Sequence, residues 1–262
     1  MMKKGKLQQM LSKKKPILMI GVSLFEPAVM EMAALAGFDA AVLDAIQLIR
    51  SPEAICHMIR AADIYGLSVI VRTDEAHAQA YLDFGAEGVM FERVETAEQA
   101  KELVSICRYP PYGTRGMHAR SRKGNYGQDT MEERHVEQGG DEIIILQIES
   151  QKGMENAEEI LKVPGICLIS CGRNDLALSM GIPGQTRHTK VRQSEQRLCR
   201  MVREAGLPPV LMVADNEKEA KELLAEGNYV LSAGHDEEIL LSALRAKARE
   251  IRSALESDYE KK

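Results

Sequence analysis

Tryptophan is missing from the 262 residues, and the other aromatics amount to four Phe and seven Tyr. Basic residues are outnumbered, 34 Lys+Arg against 39 Asp+Glu, for a formal net charge of −5. A nucleic-acid platform needs basic faces and stacking rings, so nucleic acid is not an expected partner. No run of about 20 apolar residues occurs, which argues against a membrane-spanning helix. The five cysteines, at 56, 107, 167, 171 and 199, show no C-x-x-C pair, so a zinc knuckle or redox dithiol is not indicated. Buried free thiols in a reducing cytosol are expected instead, with Cys167 and Cys171 on one face of a strand. There is no linker rich in Pro, Gly or Ser to divide the chain, and no G-x-G-x-x-G after the first apolar run. Lys13-Lys14-Lys15 ahead of Ile17 to Phe25 imitates a signal peptide, but Pro16, Gly21, Glu26 and Glu31 interrupt the apolar stretch. A strand followed by a helix, in a cytoplasmic protein, fits it better.

What the chain does contain is a repeated alternation. Short apolar runs, each bounded by Gly, Pro or a charge, lie at 17–22, 38–44, 68–72, 88–91, 143–149, 166–171, 209–213 and 229–232. Continuous apolar runs are the mark of strands buried on both faces. The intervals read as helices. Pro27 to Ala36 stops at Gly37; Ser51 precedes Pro52 and Glu53 as an N-cap; Thr96 and Gln99 have the spacing of a capping box. Asn216 heads another helix ending near Gly227, and Glu237 to Glu256 forms the last. Eight strand–helix repeats predict a single-domain (β/α)8 barrel, with a doubly wound open sheet as the alternative. One polar interval, about Arg108 to Asp141, breaks the rhythm. It reads either as a catalytic loop at the barrel mouth or as a solvated excursion.

In such barrels chemistry gathers at the C-terminal ends of the strands. Four runs end on ionisable groups: Asp44, Arg72, Glu149 and, after Ser170-Cys171-Gly172, Asp175. One such charge can simply face water; four of both signs point to a shared site. Two carboxylates without obvious histidine partners suit a hard divalent cation rather than zinc. Glu149 and Asp175 would leave open positions for a bidentate substrate, with Arg72 balancing the negative charge of an enolate. Gly172-Arg173-Asn174-Asp175 turns from strand into helix, where free backbone N–H groups favour a carboxylate. Together these describe a site for a 2-oxo acid.

Several short motifs occur in order: Gly37-Phe38-Asp39 with Leu43-Asp44, Val71-Arg72, Arg108-Tyr109-Pro110-Pro111 with Arg115-Gly116, Gln147-Ile148-Glu149, Gly172-x-x-Asp175-Leu176, and Gly181-Ile182-Pro183-Gly184-Gln185. From Pro16 to Leu241 this resembles the HpcH/HpaI aldolase family of metal-dependent class II pyruvate aldolases, related to the citrate lyase β-type barrels. The resemblance implies a homo-oligomer, usually a hexamer assembled as a dimer of trimers with the final helix exchanged between neighbours. It implies Mg, Mn or Co held by Glu149 and Asp175, with Gln147 lining the metal site. Pyruvate would be bound by the metal, Arg72 and the main chain of Gly172, Asn174 and Asp175. It also implies cleavage of a 4-hydroxy-2-oxo acid to pyruvate and an aldehyde through a metal-bound enolate. Asp44 and Asp83 correspond to residues that support the family's base histidine.

That histidine is absent. The strand-end Asp44 is followed by Ala45-Ile46-Gln47, and a neutral amide cannot take a proton. Position 47 alone therefore predicts weak aldol cleavage relative to oxaloacetate decarboxylation, with His118 from the polar interval as one replacement base. His57 and His77 read as structural, and His188 as positioning its loop. The proline the family carries after the fourth strand is Glu92, followed by Arg93, and Arg173-Asn174 replaces its Pro-Ala, adding charge at the mouth. Three readings stand: the aldolase; an oxaloacetate decarboxylase or citrate-forming condensing enzyme; and a metal- and oxo-acid-binding protein that has lost catalysis.

Overall fold

The computed structural model describes residues 5–48, 50–130 and 141–259. Eight strands form one parallel sheet: β1 Ile17–Val22, β2 Ala40–Asp44, β3 Ser68–Arg72, β4 Gly88–Phe91, β5 Ile143–Gln147, β6 Leu168–Ser170, β7 Met212–Val213 and β8 Val230–His235. Consecutive strands pair from β1 to β6, and β1 also pairs with β8 and β8 with β7. A single bridge from Ser170 to Leu211 brings β6 to β7, so the sheet curls into a nearly closed barrel. Helices cover its outside, which is the (β/α)8 arrangement rather than the open sheet. Every apolar run contributes a strand, most of them trimmed by up to a few residues, while β8 continues past the expected end at 232 to His235. Among the described residues no helix is long and apolar enough to cross a membrane.

Both faces of each strand are apolar because both are covered. Ile17, Met19, Ile70, Met90, Ile143, Ile145 and Leu168 point into the barrel and pack on one another. Their neighbours Ile20, Val22, Val69 and Val71 pack outward against helices, as do Ile144, Leu146 and Ile169 further round. Successive side chains on a strand alternate in this way, so the inward series carries on two residues at a time. A short helix, Lys6–Ser12, lies ahead of β1 in a stretch where the sequence indicates no element. Its Leu7 and Leu11 close the N-terminal end of the barrel interior.

The helix starts behave largely as their residues dictate. The hydroxyl of Ser51 accepts from the Ala54 N–H, that of Thr96 from the Gln99 N–H, and the Asn216 side chain from the Glu219 N–H. The box at Thr96 closes differently from the expected pattern: Gln99 Oε1 accepts the N–H of Glu95, not that of Thr96. Gly37 takes φ +96°, the left-handed stop after the helix Pro27–Leu35. Cys167 and Cys171 flank β6 rather than sharing its face, and all five cysteines are free. Only Cys107 is buried; the other four are half-buried.

The described part of the polar interval, residues 108–130 and 141, lies away from this chain's own barrel mouth. It connects the helix Ala97–Cys107 to the start of β5, so it begins and ends at the N-terminal pole. There Arg115 donates to Asp83 and Glu142 at 2.6 Å each, and Arg108 and Lys123 also reach Glu142, at 3.1 and 3.3 Å. Burial alone would raise the Glu142 carboxyl, but Lys123 and Arg115 bring it below the usual carboxylate range. Part of the expected solvated excursion is thus a buried ion network that ties two elements together. Residues 131–140 of the interval lie outside the described residues.

Candidate active site

The inward series explains why ionisable groups meet at the other pole. Ile70 points into the barrel, and so two residues on does Arg72; Ile143 and Ile145 lead likewise to Gln147 and then to Glu149. The parallel register of β2 and β3 sets Asp44 beside Arg72. Three of the four strand-end charges, Arg72, Glu149 and Asp175, interact directly or through shared neighbours. Asp44 joins them as a brace. Its Oδ1 accepts the N–H groups of Ile46 and Gln47 at 3.0 Å, and its Oδ2 lies 3.6 Å from Arg72. Asp44 thereby fixes the turn that carries Gln47, whose side chain is exposed.

Glu149 is the buried centre of the cluster. Its Oε1 accepts the Arg93 N–H at 3.1 Å, and its Oε2 accepts Gln147 Nε2 at 2.8 Å. Burial, then repulsion from Asp175, pushes its carboxyl up to about 7. Gly172 opens the short helix Arg173–Ser179 directly against it. A Cβ on Gly172 would stand 2.0 Å from Glu149 Oε2 and 2.5 Å from Gln147 Nε2, so glycine here lets both side chains lie against the backbone. Asp175 is half-buried and Asn174 exposed at the rim.

Two residues that sequence reasoning did not place in the site complete it. Glu92 Oε2 lies 2.8 Å from Arg72 Nη2. Arg93 sits in the left-handed region at φ +53°, turns its N–H to Glu149, and sets its guanidinium 3.2 Å from Asp175. Backbone strain of this kind, in a residue other than glycine, collects at functional sites. The signal for Glu92 was present: Met90 faces inward, so residue 92 continues the same series. No rule of sequence pattern marks the conformation of Arg93.

The donor set suits a hard divalent cation. Gln147 Oε1 is buried without a hydrogen-bond partner, an acceptor that calls for an explanation. With Glu149 and Asp175 it makes three oxygen donors, the chemistry of Mg or Mn rather than zinc. The mutual repulsion of the two carboxylates is relieved by positive charge between them, and Arg93 already rests on one. Arg72 Nε is likewise buried without an acceptor.

The remaining candidate residues lie away from this cluster or are held by other partners. Asp83 does not join this cluster within the chain; it is buried against Arg115 at the opposite pole, about 17 Å away along β5. His118 lines a groove on the outer side of the helix Glu75–Phe84, with Ala76, Gln79 and Ala80, and is no neighbour of Gln47 in the chain. Arg173 adds no free charge at the mouth, since Glu195 holds its Nε at 2.6 Å and Glu219 lies 3.8 Å from its Nη1. His188 caps the helix Thr189–Glu204 by accepting the Lys190 N–H, His57 pairs with Glu53 on its own helix, and His77 with Asp74, the residue that caps its helix.

The chain resembles known proteins along most of its length. The sequence pattern of the HpcH/HpaI aldolase/citrate lyase family matches residues 18–243. A 2-keto-3-deoxy-L-rhamnonate aldolase of Klebsiella pneumoniae is 31% identical over 219 residues, covering 82% of this chain and 80% of the relative. The crystal structure of an HpcH/HpaI aldolase from Desulfitobacterium hafniense superposes with a TM-score of 0.86 at 29% identity, over 94% of this chain and 96% of that one. A citrate lyase beta subunit from M. tuberculosis, complexed with oxaloacetate and magnesium, shares the fold at a TM-score of 0.59 and 17% identity, over 84% and 92% of the two chains.

Proposed function

Because this chain belongs to the HpcH/HpaI aldolase/citrate lyase family, it is a carbon–carbon lyase of the aldolase type, and we propose that its Glu149–Asp175–Arg72 cluster cleaves a 4-hydroxy-2-oxo acid to pyruvate and an aldehyde. The observation that carries the reading is the approach of a buried carboxylate, Glu149, to Asp175 beside the strand-end Arg72. Glu149, Asp175 and Gln147 Oε1 would hold a divalent ion, Mg, Mn or Co. Bound there, it would supply Lewis-acid polarisation of the 2-oxo group.

The chain's own residues do the rest. Arg72, fixed by Asp44 and Glu92, presents a guanidinium to the substrate's carboxylate or to the oxygen that becomes negative as the enolate forms. Gly172, having no Cβ, lets the Glu149 carboxylate and the Gln147 amide lie against its backbone, and the main chain of Asn174 and Asp175 beyond it would receive the small oxo acid. A second reading, decarboxylation of oxaloacetate or its condensation, is favoured by one feature. Arg93 places an exposed cation at the rim, within reach of a second carboxylate.

A second copy of the chain is the expected cover for the helix Asp236–Tyr259, on which Leu240, Leu241 and Leu244 are exposed. Any role of Asp83 or His118 in catalysis would then be exerted in a neighbour. A cytoplasmic setting is in keeping with five free cysteines. The activity test is turnover of oxaloacetate and of pyruvate with a panel of aldehydes, with Mg or Mn and with excess EDTA. Glu149→Gln and the chelator should each abolish turnover. Full activity in EDTA at negligible metal content would overturn the metal assignment.

A further inference from the structure

Aldol cleavage needs a base for the substrate's C4 hydroxyl, and the exposed amide of Gln47 cannot be one. The end of β4 supplies a group that can. Met90 points into the barrel, and Glu92, two residues later, continues that direction to the mouth. Its Oε2 lies 2.8 Å from Arg72 Nη2, and its charge is felt at Glu149. Among the described residues its carboxylate caps no helix and has no ion pair other than that with Arg72. Arg72 has further donors to offer, because its Nε is buried without an acceptor. A substrate oxygen can therefore bind the guanidinium while Glu92 stays on Nη2, which places the carboxylate within about one guanidinium's width of the bound oxo acid.

We propose that Glu92 is the general base of carbon–carbon cleavage, an assignment that rests on the aldolase reading above. The Glu92 carboxylate takes the proton of the C4 hydroxyl as the C3–C4 bond breaks. The O–H electron pair becomes the second bond of the aldehyde carbonyl. The C3–C4 pair becomes the C2–C3 double bond of pyruvate enolate, and the charge left on the C2 oxygen is met by Arg72. The proton now on Glu92 returns to C3 and completes pyruvate, so the carboxylate is regenerated. Oxaloacetate loses its C4 carboxylate as CO2 to give the same enolate without deprotonation of a hydroxyl, so it bypasses the base.

The contrast between these two substrates is the test. Glu92→Gln keeps an oxygen that accepts from Arg72 but cannot take a proton. The holoenzyme, loaded with Mn, is assayed on 4-hydroxy-2-oxopentanoate and on oxaloacetate, and pyruvate binding is measured by calorimetry. Glu92→Gln should lower cleavage of the hydroxy acid by about 10²–10⁴-fold, the usual contribution of a positioned base. Oxaloacetate decarboxylation and pyruvate affinity should each change by less than about tenfold on the same physical argument. Added formate should partly restore cleavage to Glu92→Ala, and Gln47→His should raise wild-type cleavage little. Equal losses on both substrates, with weakened pyruvate binding, would make Glu92 only a positioning residue for Arg72 and overturn the assignment. So would unchanged cleavage in Glu92→Gln, or wild-type decarboxylation without any cleavage of the hydroxy acid. A wild-type protein that turns over neither substrate and binds no metal would instead overturn the aldolase reading itself.

Discussion

Replacing Arg93 by Gln should make the protein bind a divalent cation more tightly. The guanidinium lies 3.2 Å from Asp175 Oδ1, so a cation using that oxygen must first displace it. At this separation two unit charges in a water-like dielectric attract by about 1.3 kcal/mol. The Arg93 side chain is 65% exposed and Asp175 28%, and exposed pairs of this kind are worth about 0.2–1 kcal/mol after screening and side-chain entropy. Removing the competitor should therefore lower the dissociation constant of Mg or Mn by about 1.4- to fivefold, the upper figure corresponding to ~1 kcal/mol. The backbone contribution should cancel, because Gln at 93 keeps the N–H that Glu149 accepts and meets a similar cost at φ +53°. Titration of metal-free protein by calorimetry at low salt measures the effect. Repeating it at about 0.5 M salt should shrink the difference, as surface charges are screened. An unchanged or weaker affinity in Arg93→Gln would refute the idea that this arginine stands where the cation's charge belongs.

Arg72→Lys should lower kcat by about 10²–10³-fold, since a point charge cannot replace a planar fork held between Asp44 and Glu92; a steady-state rate near wild type would reduce Arg72 to a surface charge. Gly172→Ala should abolish metal binding with little change in Tm, because its Cβ would fall 2.0 Å from Glu149 Oε2 rather than in the core; retained binding by calorimetry would contradict this. Glu142→Gln should destabilise by about 3–5 kcal/mol in denaturant unfolding, since Arg108, Arg115 and Lys123 converge on that one carboxylate. The same depressed carboxyl gives a sign for acid: its stabilisation is present above the unfolded value of about 4.3 and is lost as the pH falls through the folded one. Light scattering at micromolar concentration should show an oligomer, and a monomer would leave the leucines of the last helix uncovered.

Much of this protein is written locally. A run such as Ser68–Arg72 is apolar on both faces only because both will be covered, so eight such runs with capped helices between them already imply a barrel. The same alternation sends Arg72, Gln147 and Glu149 to one mouth, and the resemblance of the motifs names the family they serve. Glu92 obeys that alternation too, and went unassigned because a strand-end carboxylate acquires meaning only through its partner, Arg72, 20 positions earlier in the chain. Other features have no local signature at all. Asp83 and Arg115 sit 32 positions apart and become a buried pair only when helix and loop meet at the far pole. Arg173 finds its counter-charges in Glu195 and Glu219 on two later helices. Arg93 leaves the strand in a conformation no residue pattern marks, to face Asp175 from 82 positions away. Periodicity and capping depend on neighbours along the chain, so the sequence by itself determined the strands, the helix starts and the direction of each inward side chain. Charge pairing depends on distances across the fold, so only the tertiary structure decided which of those side chains work together.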